Sequence, residues 1–180
     1  MIVLKTDRLI IRESSGRDFS RIYSMMLSEY RENENIASYG KEQGKLPAEA
    51  IRDVVSDDED EELEKYLAYI HTVYSVFGFG LWSVCLKEDP DCVIGRCGLQ
   101  PVADEGSPLG RIELGYLIDK KHRSEGYAYE ACSAILDYAF SILGVERIFA
   151  VIDERNIASL KLARRLGFEK CEDGFYVLSR

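Results

Sequence analysis

The 180-residue sequence is poor in metal-binding side chains. It has two histidines, His71 and His122, and five cysteines that form no Cys-x-x-Cys pair. These counts argue against a zinc site, and we expect no metal. The cysteines are therefore expected to be small, buried or half-buried apolar residues. A nucleophilic cysteine is a minor alternative, because no base stands near any of them in the sequence.

Long apolar runs and an excess of positive charge are also absent. No stretch approaches the roughly 20 apolar residues of a membrane-spanning helix, and the N-terminus lacks the features of a signal peptide. The net charge of −9 argues against general nucleic-acid binding. We therefore expect a cytoplasmic protein without nucleic-acid or membrane partners. Its acidity is compatible with a cationic substrate or a basic partner.

The hydrophobic pattern predicts one mixed α/β domain covering residues 1–180. Neither a repeat nor a linker divides it, and the predicted order is β-α-α-β-β-β-α-β-α-β-β. The predicted strands are 9–12, 80–87, 92–99, 112–118, 147–152 and a hairpin, 168–171 with 175–178. The predicted helices are one through Phe19 and Met26, a short one begun by Pro47, one through Leu63 and Phe77, and those at 126–143 and 156–166. Predicted loops include 30–45 and 101–110, and the 147–152 strand is expected to be buried on both faces.

The acidic run Asp57–Glu62 precedes a helical apolar stripe. It fits the first turn of a helix, where negative charge is stabilised by the helix dipole. The alternative is an acidic lip that attracts a cationic acceptor.

A strand, a basic loop and a glycine turn together predict an anion site. The strand Ile112–Ile118 leads into Lys120–Arg123, and Gly126 then opens a helix. Free N–H groups and the positive end of the helix dipole would converge there, which favours a phosphate-bearing ligand. The alternative is an ordinary surface turn, because Arg-x-x-Gly-x-Ala is short and common and Glu125 adds negative charge.

Two further features are compatible with a ligand between neighbouring helices. Asn156 can cap the helix that it opens, and Ser159 then lies in the first turn. Asn156 and Ser159 either serve only to cap the helix or also point towards the ligand.

Glu113 lies between apolar neighbours on the strand that leads to the predicted anion site. It is either a general base, acting directly or through water, or a solvated residue on an exposed strand face.

Taken together, these motifs resemble the GNAT superfamily of acyl-CoA-dependent N-acetyltransferases, and most of all its ribosomal-protein N-terminal acetyltransferase branch. The family's coenzyme A signature, Gln/Arg-x-x-Gly-x-Gly/Ala, matches Arg123, Gly126 and Ala128. Its later Asn-x-x-Ser … Leu-Gly-Phe pattern matches Asn156–Phe168. The segments Thr6–Arg12, Gly78–Trp82 and Ile94–Leu99 look like the opening strand and central hairpin of that branch.

The resemblance implies a GNAT-like acyl-CoA N-acyltransferase fold, with a mostly antiparallel central sheet, a splayed strand pair and flanking helices. Acetyl-CoA is the implied cosubstrate, its pyrophosphate on the turn amides and its pantetheine beside the splayed strand. A backbone N–H near Leu117 or Ile118 would polarise the thioester carbonyl. The implied coenzyme-binding residues are Leu117, Ile118, Arg123, Ser124, Glu125, Gly126, Tyr127, Ala128, Asn156 and Ser159.

The implied reaction needs a base for the amine and an acid for the thiolate. Glu113 is the candidate base and Ser159 the candidate acid. Many members carry a tyrosine acid where this sequence has Ala163, so the role passes to Ser159, Tyr116 or water. Ser124 replaces a common glycine, and Glu125 replaces a common basic residue.

The leading hypothesis is an enzyme that transfers an acetyl group from acetyl-CoA to a primary amine by direct attack. The acceptor would be a protein N-terminus, such as that of a ribosomal protein, another basic peptide, or a small cationic amine. The alternative is a non-catalytic acyl-CoA sensor or interaction module of the same fold. Either form is expected to be a monomer or homodimer. The glycine spacing matches neither a P-loop nor a dinucleotide fingerprint.

Overall fold

The computed structural model describes residues 3–32, 58–104, 107–172 and 174–180. In these ranges the chain forms eight strands and four α-helices. The strands are β1 (Val3–Lys5), β2 (Leu9–Arg12), β3 (Leu81–Leu86), β4 (Val93–Asp104), β5 (Ser107–Ile118), β6 (Arg147–Val151), β7 (Glu169–Glu172) and β8 (Phe175–Ser179). The helices are α1 (Phe19–Glu32), α2 (Glu59–Phe77), α3 (Tyr127–Ser141) and α4 (Ile157–Leu166).

All eight strands belong to one sheet, in the order β1-β2-β3-β4-β5-β6-β8-β7. Every neighbouring pair is antiparallel except β5 and β6, which run parallel. Those two strands pair at Glu113 and Phe149, while β5 stays paired with β4 as far as Ile118. The strands therefore diverge after Glu113, which confirms the predicted fold with its splayed pair.

The helices cover both faces of the sheet. On one face, α3 buries Ala131 and Ile135 against Trp82 and Leu99, and α4 adds Ala163 to the same core. On the other face, Ile22 and Met25 of α1 pack on Cys85 and Val93. Helix α2 joins α1 through Tyr66, whose ring lies 5.4 Å from that of Phe19. The gap between β5 and β6 thus has a helical layer on each side.

The acidic run begins helix α2. Asp58 is the N-cap, and its carboxylate accepts from the N–H groups of Asp60 and Glu61 at 3.1 and 3.2 Å. Residues 59–62 form the acidic first turn, where they interact favourably with the helix dipole. The helical interpretation of the run is confirmed, although Asp57 itself lies outside the described residues.

Three predictions about local structure are wrong. Much of the predicted loop 101–110 belongs to β4 and β5, because their hairpin extends beyond the apolar stretch. The N-terminal residues Val3–Lys5 add a strand that pairs with β2. Strand β6 is central but alternates in burial, with Arg147 and Val151 exposed.

Among the cysteines, Cys171 is exposed, whereas the other four are buried or half-buried as expected.

Some predictions cannot be placed on the fold. Most of the loop predicted at 30–45 and the whole short helix begun by Pro47 lie outside the described residues. In the part of the chain that the structure describes, no helix has the length and apolar character needed to cross a membrane.

Candidate active site

The turn before α3 has an unusual backbone. Gly126 is the N-cap of α3 with φ +85°, and no described side chain caps it. Ser124 also lies in the left-handed region, with φ +63°. Residues with side chains seldom adopt that conformation, which explains why glycine is common at this position in the family. The helix N-terminus is left open to an anion.

The end of β5 directs a backbone N–H group into the gap. Asp119 donates its N–H to the carbonyl of Ile94 on β4, at 2.8 Å. Successive N–H groups of a strand point to opposite edges, so that of Leu117 also points to β4 while that of Ile118 points to the gap. Of the two residues expected to polarise a thioester, Ile118 therefore has the suitable orientation.

The structure brings two candidate acids into contact. The hydroxyl of Tyr116 on β5 lies 2.8 Å from Oγ of Ser159 on α4, and either can donate. Burial raises the pKa of Tyr116, and the hydrogen bond with Ser159 only partly opposes this. Asn156 accepts from the Ser159 N–H at 3.0 Å, so it caps α4 as predicted. These contacts place two hydroxyl groups at the open end of the β5–β6 gap.

Ala163 is a packing residue. It is 4% exposed and belongs to the core beneath α3. No acid can act from this methyl group, so the Tyr116–Ser159 pair is the hydroxyl source that the described residues offer beside the gap.

Glu113 lies on the other face of β5. Strand residues alternate between faces. Tyr116 packs with the α3 side of the sheet and Leu117 with the α1 side, which places Glu113 on the α1 side. Its carboxylate accepts from Nε of Arg111 at 2.6 Å, and both side chains are 13% exposed. The candidate base and acids therefore flank the gap from opposite faces.

The basic residues before the turn contact α1. Arg123 donates through Nε to the Ile118 carbonyl at 2.9 Å and pairs with Glu29. Lys120 donates to Oγ of Ser28 at 2.9 Å. The Arg123 guanidinium thus connects the end of β5 to α1.

The remaining predicted residues lie in the turn and in the first turn of α3. Glu125 is exposed, and its carbonyl accepts from Arg8 at 2.9 Å. The Tyr127 ring lies under the Arg8 guanidinium, 4.5 Å away. Ala128 packs half-buried beside the main core. The turn is therefore supported from the side of β1 and β2.

The sequence patterns did not identify Arg8 and Glu130 as site residues. Glu130 accepts from the N–H and Nε of Arg8, at 2.9 and 2.7 Å, and from Oγ1 of Thr6 at 2.6 Å. Its partners lie more than 120 positions away, so no spacing could reveal them. The Thr6–Arg12 motif was the available signal, because it places Arg8 at the start of a recognised strand.

A surface groove of about 760 Å³ opens beside the turn. It extends from Lys5 past Ser124 and Tyr129 to Arg165 on α4, whose guanidinium lies 3.8 Å from the Tyr129 ring. It is large enough to hold part of a ligand bound at the turn.

Comparisons with known proteins agree with this geometry. The acetyltransferase (GNAT) domain family matches residues 8–169. The N-acetyltransferase YnaD of Bacillus subtilis is 27% identical over 173 residues, covering 96% of this chain and 85% of its own. A GNAT-family acetyltransferase from Bordetella pertussis superposes with a TM-score of 0.71 and 24% identity, over 100% of this chain and 99% of that one.

The fold is also shared with a ribosomal-protein acetyltransferase. The ribosomal-protein-S5-alanine acetyltransferase of Vibrio fischeri shares the fold, with a TM-score of 0.68 and 15% identity, over 99% of this chain and 97% of its own. Because the family match extends over residues 8–169, the chain belongs to the GNAT acetyltransferase family.

Proposed function

We propose that the protein transfers the acetyl group of acetyl-CoA to a primary amine by direct attack. The observation that carries the proposal is the 2.8 Å contact between Tyr116 and Ser159 beside the β5–β6 gap. This contact supplies two possible proton donors. The open N-terminus of α3 and the Ile118 N–H, which faces the gap, complete the proposed site. A coenzyme lying along the gap would have its thioester near all three groups.

The proposed chemistry uses both faces of the sheet. The amine approaches from the α1 side and loses a proton to Glu113, through water if the distance requires it. Its nitrogen attacks the thioester carbon, and the Ile118 N–H stabilises the resulting oxyanion. The carbon–sulfur bond then breaks, and the departing thiolate receives a proton from Ser159 or Tyr116. The acylated nitrogen loses its second proton, which restores that hydroxyl, and Glu113 releases the first proton to solvent. Free coenzyme A and the acetylated amine are the products.

The proposed acceptor is a protein N-terminus, such as that of a ribosomal protein, or a small cationic amine. The net charge of −9 favours a cation. The fold shared with a ribosomal-protein acetyltransferase supports a protein N-terminus. A cytoplasmic location, a single domain over residues 1–180 and a monomeric or homodimeric state remain predictions.

A second candidate is a non-catalytic acyl-CoA sensor. Two observations favour it: Ala163 stands where many relatives have an acid, and Glu113 is engaged by Arg111. Such a protein would bind acetyl-CoA and release no coenzyme A.

Calorimetry and a turnover assay separate the two candidates. Acetyl-CoA is titrated first, and free thiol is then followed with spermidine or with a basic peptide that has a free N-terminus. Enzyme function predicts thiol release that falls at least tenfold in Ser159→Ala or Glu113→Gln. Ser141→Ala, at the exposed end of α3, is the matched control. Binding without turnover would favour the sensor, and absence of binding would refute both candidates.

A further inference from the structure

Arg8 makes an unusually dense set of contacts for a residue at the edge of a sheet. Its N–H and guanidinium bind the Glu130 carboxylate, with the second guanidinium contact also at 2.7 Å. Its Nη1 donates to the Glu125 carbonyl, and its plane covers the Tyr127 ring. A single side chain therefore joins the start of β2, the turn and the first turn of α3.

The hydrogen bond to Glu125 orients the turn. In a trans peptide the C=O and the following N–H point in opposite directions. Because Arg8 holds the Glu125 carbonyl on its own side, the Gly126 N–H is directed away from Arg8. The positive φ values of Ser124 and Gly126 give the chain this local reversal. The direction of an anion-binding amide thus depends on Arg8.

The charge of Arg8 is already neutralised in this arrangement. Burial alone would raise the pKa of Glu130, but hydrogen bonds from Thr6 and Arg8 outweigh it and lower the pKa. Glu130 is therefore ionised at neutral pH, and its Oε2 accepts from both Nε and Nη2 of the guanidinium. A guanidinium paired in this way has little charge left to attract a phosphate.

We propose that Arg8 and Glu130 are positioning residues that set the orientation of the coenzyme-binding turn through the Glu125–Gly126 peptide. The inference rests on the proposed coenzyme site and concerns how that site is shaped. The proposal predicts how the charge of Glu130 affects coenzyme binding. Removing the negative charge of Glu130 from beside a phosphate site should weaken coenzyme binding, although simple electrostatics would strengthen it.

The test compares four variants with the wild type in steady-state kinetics and coenzyme A calorimetry. Arg8→Gln and Glu130→Gln are each expected to raise KM for acetyl-CoA at least fivefold, with kcat within twofold. The double variant should be no worse than the more affected single variant, because the two act as one unit. Arg8→Lys should recover thermal stability but not affinity, since an ammonium cannot span both acceptors.

Glu125→Gln is the matched charge control. It removes a negative charge from the same turn but leaves the main-chain carbonyl that Arg8 binds. Its KM for acetyl-CoA is expected to fall, because a negative charge beside the proposed phosphate site is removed while the carbonyl contact is kept. If Glu130→Gln behaves in the same way, charge alone governs the site and the positioning role is refuted. Unchanged KM in Arg8→Gln would refute it equally.

A measurement without coenzyme keeps the inference testable on its own. The backbone amide resonance of Gly126 is expected to shift in Arg8→Gln and Glu130→Gln, and to shift much less in Glu125→Gln. An unmoved resonance would contradict the proposal. If Arg8→Gln does not fold, Glu130→Gln and Arg8→Lys decide the question. Failure of the wild type to bind coenzyme A would refute the proposed function, while the amide shift would still report on the positioning.

Discussion

Ser124 carries a backbone conformation that suits glycine better than serine. Its φ of +63° lies in the left-handed region, which costs an L-residue roughly 1–2 kcal/mol. Glycine avoids this cost but has more unfolded-state entropy to lose, roughly 0.4–1 kcal/mol. We predict that Ser124→Gly stabilises the protein by about 0.5 kcal/mol, measured by urea unfolding.

Exposed serines elsewhere provide the comparison for this change. Ser141 at the end of α3 has ordinary helical geometry, so Ser141→Gly is expected to lower stability slightly. Destabilisation by Ser124→Gly of the same size would show that the serine side chain supports the turn.

Tyr116 is expected to remain a proton donor over a wide pH range. Burial raises the pKa of its hydroxyl above the ordinary value of about 10, despite the hydrogen bond with Ser159. The group is therefore protonated at neutral pH and loses its proton only above that value. We predict that Tyr116→Phe lowers kcat at least tenfold with KM for acetyl-CoA within twofold.

The pH profile provides an independent check on Tyr116. The kcat of the wild type should show no loss from tyrosine ionisation below about pH 10. A decline near pH 8 that disappears in Tyr116→Phe would contradict the assignment. Tyr129→Phe, on the groove side of α3, controls for the loss of a tyrosine hydroxyl.

At the scale of elements, the ion pair between Arg12 and Asp18 connects β2 to the residues that directly precede α1. Both terminal nitrogens of Arg12 donate to Asp18 at 2.8 Å, and Asp18 is only 4% exposed. Asp18 also accepts from the N–H of Ser15 at 2.8 Å. The contact places α1 over the face of the sheet from which the acceptor is proposed to enter.

Asp18→Asn should destabilise this connection in a pH-dependent way. Burial raises the pKa of Asp18, but bonds from Arg12 and Ser15 outweigh it, so the folded-state pKa lies below its ordinary value. The stabilisation is therefore fully present above about pH 4 and is lost as pH falls through the folded-state pKa. We predict a loss of about 2–3 kcal/mol at pH 7, measured by denaturant unfolding.

A comparison of the unfolding free energies at low pH distinguishes loss of the Arg12–Asp18 ion pair from a general loss of packing. Wild-type Asp18 also becomes protonated below the folded-state pKa, so the difference between the two proteins should shrink there. Asp137→Asn, on an exposed face of α3, should show little change at either pH. A difference that is equal at pH 7 and pH 3 would contradict the ion-pair explanation.

Elements with local start and stop signals were predictable from the sequence. Asn156 caps α4 and acidic residues form the first turn of α2, both as expected, and Gly167 ends α4 in the left-handed conformation. Such signals act over three or four residues, so they can be recognised without the fold. The long β4–β5 hairpin was not predictable, because its outer part is held by strand pairing and not by an apolar pattern.

At the scale of the whole molecule, coenzyme binding should be visible as a gain in stability. A ligand that binds only the folded state at 100 times its Kd adds about 2.7 kcal/mol. For a chain of this length each kcal/mol raises Tm by about 2–4 °C. We therefore predict that coenzyme A raises Tm by about 5–10 °C, measured by differential scanning fluorimetry.

Adenosine is the comparison ligand for the thermal shift. It lacks the pyrophosphate that the Gly126 turn is proposed to bind, so it should give a much smaller increase. Equal shifts with both ligands would place the binding energy outside the turn. No shift with coenzyme A would contradict the coenzyme site itself.

The candidate site depends on contacts between distant parts of the chain. The sequence indicated Glu113 as a candidate base and Ser159 and Tyr116 as candidate acids. It could not show that Tyr116 and Ser159 are in contact, or that Glu113 lies on the opposite face of the sheet. Strand side chains alternate between the two faces of a sheet, so their contacts are known only when the elements packed on each face are known. The same holds for Arg8 and Glu130, which no sequence spacing relates.

The sequence by itself determined the family, the order of most elements and the turn at Gly126, because local propensities and short motifs specify these. The tertiary structure decided which groups meet at the gap. It directed the Arg123 side chain to α1, pointed the Ile118 N–H towards the gap and placed Arg8 behind the turn. Such contacts join residues far apart in the chain, and sheet pairing and packing bring them together only when the whole domain folds.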